Sequence, residues 1–171
     1  IKNYAYDGQC ESSRVNYLFS FYQLAHKKEK IRDSVLEALQ TEIKDTWTLT
    51  QLFEFAKILA QQGDKEAKKG IYKRFGEKII PGSDWAGSAE ILELDGFDGL
   101  KYIAETFGRL LENDPEDCQD DELIISFQEK NKSINILEKL QEEAKRNKYI
   151  RLYLESIERT NKSYEEYQKN R

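Results

Sequence analysis

From Thr48 to Gly76, apolar side chains return every three or four residues, and the run is broken once, at Gly63-Asp64. Residues at that spacing share one face of an α-helix, so the stretch predicts two amphipathic helices joined by a tight turn. Thr48 is placed to cap the first, which carries Leu52, Phe53, Ala56, Leu59 and Ala60 and stops at Gly63. Asp64 caps the second, which carries Ala67, Ile71, Tyr72 and Phe75 and stops at Gly76. The same period recurs along the chain. Val15, Leu18, Phe19, Tyr22 and Ala25 predict a helix from Ser13 to His26, and Ile31, Val35, Leu36 and Leu39 predict another from Ile31 to Ile43. A short helix is expected over Trp85 to Leu94. A longer one, on Leu100, Ile103, Ala104, Phe107, Leu110 and Leu111, runs to Asn113-Asp114-Pro115. Further on, Asp121 and Ser133 are placed as caps. Ile134, Leu137, Leu140 and Ala144 mark the helix after Ser133, and Ile150, Tyr153, Leu154, Ile157 and Tyr164 mark a last one.

Little in the chain reads as strand, because β-branched runs are nearly absent and only Pro81 and Pro115 interrupt the helical pattern. The expected class is all-α, and 171 residues fit a single domain that can bury a core without disulfides. Charged residues make up 35 % of the chain against roughly 25 % in ordinary globular proteins. Narrow apolar stripes with wide solvated faces follow, which suits thin stacked layers of helices. Cys10 and Cys118 lie in no paired metal spacing, so neither a zinc site nor a disulfide framework is expected. With no apolar run near the roughly 18 residues that span a bilayer, the expectation is a soluble cytoplasmic protein with no membrane contact.

The stretch ELDGFDG, Glu93 to Gly99, has the look of an acidic ligand loop. A calcium loop places oxygen ligands at alternate positions, and counted from Asp95 those positions fall on Phe97 and Gly99, which offer no side-chain oxygen. The remaining reading is a helix start, with Asp95 as N-cap and Asp98 three residues on, answering the positive end of the helix.

Set side by side, the helices show a faint repeat. Leu52, Phe55, Ala56, Leu59 and Ala60 correspond to Leu100, Ile103, Ala104, Phe107 and Gly108, and Ile31, Val35, Leu36 and Leu39 to Ala67, Ile71, Tyr72 and Phe75. Small residues on the buried face let a neighbouring helix approach closely. On Gln51 to Phe75 and Ala89 to Leu111, the chain resembles the HEAT-repeat α-solenoids, in particular small bacterial proteins with degenerate HEAT-like repeats. The resemblance implies a right-handed α-α superhelix of about four stacked helix pairs with a C-terminal capping helix. It also implies a concave side, lined by the second helix of each pair, that binds a partner.

Catalytic chemistry is thinly supplied. His26 is the only histidine, and at the end of a predicted helix beside Lys27, Lys28 and Lys30 it reads as a residue favoured by the helix dipole. None of the phosphate-loop, dinucleotide, zinc-protease or nucleophile-elbow motifs occurs. The chain is therefore read as non-catalytic, with no cofactor and no metal. The feature that exceeds background is Asp64 to Lys78, where Lys65, Lys68, Lys69, Lys73 and Arg74 form a candidate partner-binding ridge on the second helix of a pair. Seven acids and no base lie between Glu112 and Glu122. Residues 1 to 85 hold two more bases than acids, and residues 86 to 171 hold seven more acids than bases. A protein partner is favoured over nucleic acid, since an acidic chain with one basic helix holds phosphates weakly at physiological salt. Trp47 and Trp85, near Asp45 and Asp84, read as packing at repeat entries. In the HEAT-like alkylpurine DNA glycosylases such tryptophans hold a lesion with an aspartate one turn on; here those places are Gln51 and Ala89, which leaves nucleic-acid binding or that chemistry as the alternative.

Overall fold

The computed structural model of the chain describes residues 28–41, 46–77, 87–113 and 122–169, and every regular element among them is an α-helix. In chain order these are α1 (Lys28–Gln40), α2 (Thr46–Gln61), α3 (Lys65–Gly76), α4 (Ser88–Asp95), α5 (Phe97–Asn113), α6 (Glu122–Lys130), α7 (Ile136–Ala144) and α8 (Lys148–Lys169). The all-α class expected from the sequence pattern is what the described residues adopt. The predicted helix from Ser13 to His26 lies outside the described residues. Two compact units divide the chain between Arg74 and Phe75.

In the first unit α1 packs on α2, and α3 meets α1 where Gly70 faces the side chain of Leu39. Much of each predicted stripe is buried, Val35 and Leu39 on α1, Leu52, Phe53, Ala56 and Leu59 on α2, Ala67 and Ile71 on α3; Leu49 is buried as well, outside the stripes, while Ile31, Leu36, Ala60 and Tyr72 are half-buried. Burying each of the larger ones is worth roughly 1.5–3 kcal/mol. α1 begins three residues before the expected Ile31, because its first turn, Lys28-Glu29-Lys30, carries no apolar residue to mark it. Thr48 lies inside α2 rather than capping it. The turn at Gly63 is as read. Gly63 sits at φ +94°, its N–H donates to Ala60 O at 3.0 Å, and the Asp64 N–H donates to Leu59 O at 3.0 Å. These paired bonds close the end of α2, and they need a residue that enters the left-handed region without a Cβ penalty.

The second unit is organised around α5. It packs on α4 before it and on α8 after it, while α8 also packs on α7 and α7 on α6. Both main contacts of α5 are made through glycine. A Cβ on Gly99 would run into the main-chain carbonyl of Ile91 in α4, and one on Gly108 into the main-chain carbonyl of Tyr149 in α8. Close approach then lets Phe107 stack on Tyr153 at 5.5 Å, and Lys148 Nζ reaches Glu112 at 2.6 Å. Those contacts run α8 antiparallel to α5. Leu100, Ile103, Ala104 and Leu111 on α5, with Ile150, Tyr153 and Ile157 on α8, are buried between the helices of this unit. The small-residue position read at Gly108 is where a backbone arrives.

Two predicted caps shift. Asp95 is the last residue of α4, and Gly96 (φ 55°, ψ −121°) both ends α4 and starts α5, its N–H donating to Leu92 O at 2.8 Å while its carbonyl accepts from the Leu100 N–H at 3.0 Å. One residue reverses the chain, which no Asp does at those angles. Asp98 lies in the first turn of α5 as expected, 2.9 Å from Lys101. At α7 the cap is Asn135 rather than Ser133: its side-chain oxygen accepts from the Glu138 N–H at 3.2 Å. The residues between α6 and α7 are instead held by Gln128, whose amide donates to Ile134 O at 2.6 Å and accepts from the Ile136 N–H at 2.7 Å.

A Gly108→Ala substitution separates two opposed effects. In an ordinary helix interior alanine gains about 1 kcal/mol over glycine. Here the new methyl meets main chain rather than a side chain that can rotate, and overpacking costs about 1–3 kcal/mol. Urea unfolding should show a net loss of stability for Gly108→Ala, and a smaller loss or a gain for Gly70→Ala, whose methyl meets only Leu39's side chain.

Candidate functional site

The lysine ridge stands on α3, and the local sequence explains why that helix presents it. Ala67 and Ile71 are fully buried, so the opposite side of α3 faces water. Lys65, Lys69 and Lys73 are exposed there, spread over roughly 12 Å at the 1.5 Å rise of a helix, and Lys68 is exposed on the flank next to Phe75. Lys68 Nζ lies 5.9 Å from the centre of the Tyr72 ring, a cation–π contact that holds the ammonium against the helix. Glu66 and Glu77 are exposed as well. Arg74 is placed differently. It lies across Ile71 from Lys68, on the flank beside Ala67, and is half-buried. The structure thus gathers Lys65, Lys69 and Lys73 on one face and sets Lys68 and Arg74 on opposite flanks of the packed side, Lys68 exposed and Arg74 half-buried.

The helix bearing the ridge is anchored at its start by one carboxylate. Asp64 Oδ1 accepts from the backbone N–H groups of Glu66 at 3.0 Å and Ala67 at 3.1 Å, the N-cap pattern its position predicts. Asp64 also receives a two-pronged bond from Arg32 on α1, Nε to Oδ2 at 2.5 Å and Nη2 to Oδ1 at 3.3 Å. Planar guanidinium and carboxylate fit each other in this way, which fixes orientation as well as charge. The Arg32 hydrogen bond, helped by the two backbone donors, holds the Asp64 carboxyl below the usual aspartate range. Arg32 and Lys65 flank a shallow groove at the start of α3, floored by Leu59 and Gly63.

Sequence reasoning found the Asp64 cap but missed Arg32. The two residues are 32 positions apart, and nothing local in α1 marks Arg32 among the other exposed charges. His26, Trp85, Cys10, Cys118 and most of the acidic stretch from Glu112 to Glu122 lie outside the described residues, as does the side chain of Trp47. Among the described residues, no group of three or more His, Cys, Asp or Glu converges as a metal set requires. No described helix is long and apolar enough to cross a membrane. No protein-family model, curated protein or solved structure matches this chain.

Replacing Asp64 tests the anchor. Losing an N-cap costs about 0.5–2 kcal/mol, and Asp64→Ala should lie within that range, since Arg32 is 37 % exposed and keeps Asp33 at 3.4 Å rather than being left buried and unpaired. The folded-state pKa is depressed, so the stabilisation is complete above the ordinary aspartate value and is lost as pH falls through the folded value. Denaturation of the wild type and Asp64→Ala from neutral to strongly acidic pH should show the gap full at neutrality and closing in acid. A gap that stays constant would remove the carboxylate from the account.

Proposed function

We propose that this chain is a non-catalytic helical scaffold, HEAT-like in its local pairing of helices, that docks an acidic surface of a protein partner on the lysine ridge of α3. The observation that carries the proposal is the placement of Lys65, Lys69 and Lys73 on one solvent face, with Lys68 exposed at its flank, of a helix whose other face is packed and whose start is pinned by Arg32 and Asp64. Pinning matters because a charged surface selects a partner only if its spacing is held. Solvated ion pairs contribute about 0–1 kcal/mol each, so four lysines supply encounter rate, orientation and modest affinity, and the partner must add apolar contact. Affinity of this kind falls with salt.

The HEAT-like reading is supported by helices joined through short turns at Gly63 and Gly96 and by the small buried residues Ala56, Ala67 and Ala104. In the stacks this chain resembles, the second helix of a pair lines the binding side, and α3 is the second helix after Gly63.

A tagged pull-down from the native source, with and without nuclease, compares the wild type with the Lys68→Glu, Lys69→Glu, Lys73→Glu variant. The expected result is a protein captured by the wild type, unaffected by nuclease and lost by the variant. Equal capture by both leaves the ridge as a solvated face and contradicts the proposal. Capture abolished by nuclease transfers the ridge to a nucleic-acid backbone.

A further inference from the structure

A second surface, in the other unit, is apolar. α6, α7 and α8 enclose a groove of about 640 Å³ whose walls include Ile125, Leu137, Leu154 and Ile157. Ile125 is 49 % exposed and Leu137 45 % exposed, so two aliphatic side chains stand open to water at its mouth. The α8 wall does not stop at the groove. Leu154, Ile157, Asn161, Tyr164 and Gln168 follow at intervals of three and four, which is one stripe along a helix. α8 is also longer than its neighbour. It has 22 residues against 17 in α5, and the two are level where Lys148 meets Glu112, so the last turns of α8 overhang α5. All residues from Asn161 to Lys169 are exposed, with Tyr164 at 64 %. A helix end of this length is marginal by itself in water.

We infer that the groove and the overhang are two halves of one self-complementary surface, and that the occupant of each groove is the end of α8 from a second copy of this chain. The stripe makes this geometrically economical. Two α8 helices laid antiparallel, with Asn161 of each facing Ile157 of the other, bring Tyr164 of each copy over Leu154 of the other. A single two-fold axis then satisfies both grooves, the isologous arrangement that most soluble homodimers adopt. An aromatic ring with a polar tip suits an apolar floor with Gln128, Gln141 and Asn161 at its edge. Charge allows the pairing as well. The groove lining carries Lys132 with Glu129 and Glu158, while the tail from Arg159 to Lys169 carries three bases and two acids, so the two surfaces carry opposite net charge. Helix-in-groove docking through one aromatic and a few aliphatic anchors is a recurrent mode of association. The surface is independent of the lysine ridge and does not rest on it.

Sedimentation of the full chain, from low micromolar to the highest soluble concentration, tests the inference. The wild type should pass from monomer to dimer as concentration rises. Tyr164→Glu and Leu137→Glu, both at exposed positions and so compatible with folding, should each weaken dimerisation by about tenfold or more while circular dichroism stays unchanged. Mixed together they should recover part of the association, because one copy keeps its tail and the other its groove. A wild type that stays monomeric throughout, or a dimer that neither substitution weakens, overturns the inference.

Discussion

The second unit depends on two main chains meeting at Gly108. Helix axes separated by ordinary side chains stand 8–10 Å apart. At Gly108 there is no side chain, and the Tyr149 carbonyl takes the space a Cβ would fill. That approach sets the pitch of the whole contact: it brings Phe107 and Tyr153 into a stack and lets Ile103, Ala104 and Ile157 be buried. Gly99 repeats the device at the other end of α5, against α4. A helix with two glycines sacrifices intrinsic stability of about 1 kcal/mol for each, and packing on both flanks more than restores it.

The first unit solves a different problem with a different group. α2 must end, the chain must reverse, and α3 must start within three residues. Gly63 supplies the reversal. Asp64 supplies the start, and through Arg32 ties that start to α1. One carboxylate serving a helix terminus and a cation from another helix makes α3 a fixed platform. The ridge of lysines inherits that rigidity, which gives an otherwise ordinary set of surface charges a defined spacing.

How much of this was legible depended on whether the signal was local. Helix existence was, because stripes such as Ala67, Ile71 and Phe75 follow from burial of one face and read directly as a period. Caps were partly so. Asp64 is legible because a short acid follows a glycine, whereas Asp95 reads as a cap because a side-chain oxygen is the usual one, and a glycine in an unusual backbone conformation leaves no trace. Ser133 reads as the cap of α7 because the contacts that hold the α6–α7 segment, made by Gln128, come from the preceding helix and leave no local mark. Pairings across long separations were not legible at all. Arg32 with Asp64 and α5 with α8 are determined by tertiary fit, and neither leaves a periodic mark. Among the ridge residues, proximity in sequence groups all five, while the 100° step per residue puts Lys68 and Arg74 equally near the packed side, and only tertiary packing leaves Lys68 exposed and Arg74 half-buried.

Residue-resolved hydrogen exchange on the full chain would probe the central contact most directly. If α5 and α8 are held together through Gly108, the amides of residues 100–108 and 150–157 should be the slowest of the second unit and should exchange through one shared opening, with similar dependence on denaturant. Amides of α8 that open separately from those of α5, at lower free energy and with their own denaturant dependence, would show that the close approach does not organise the unit.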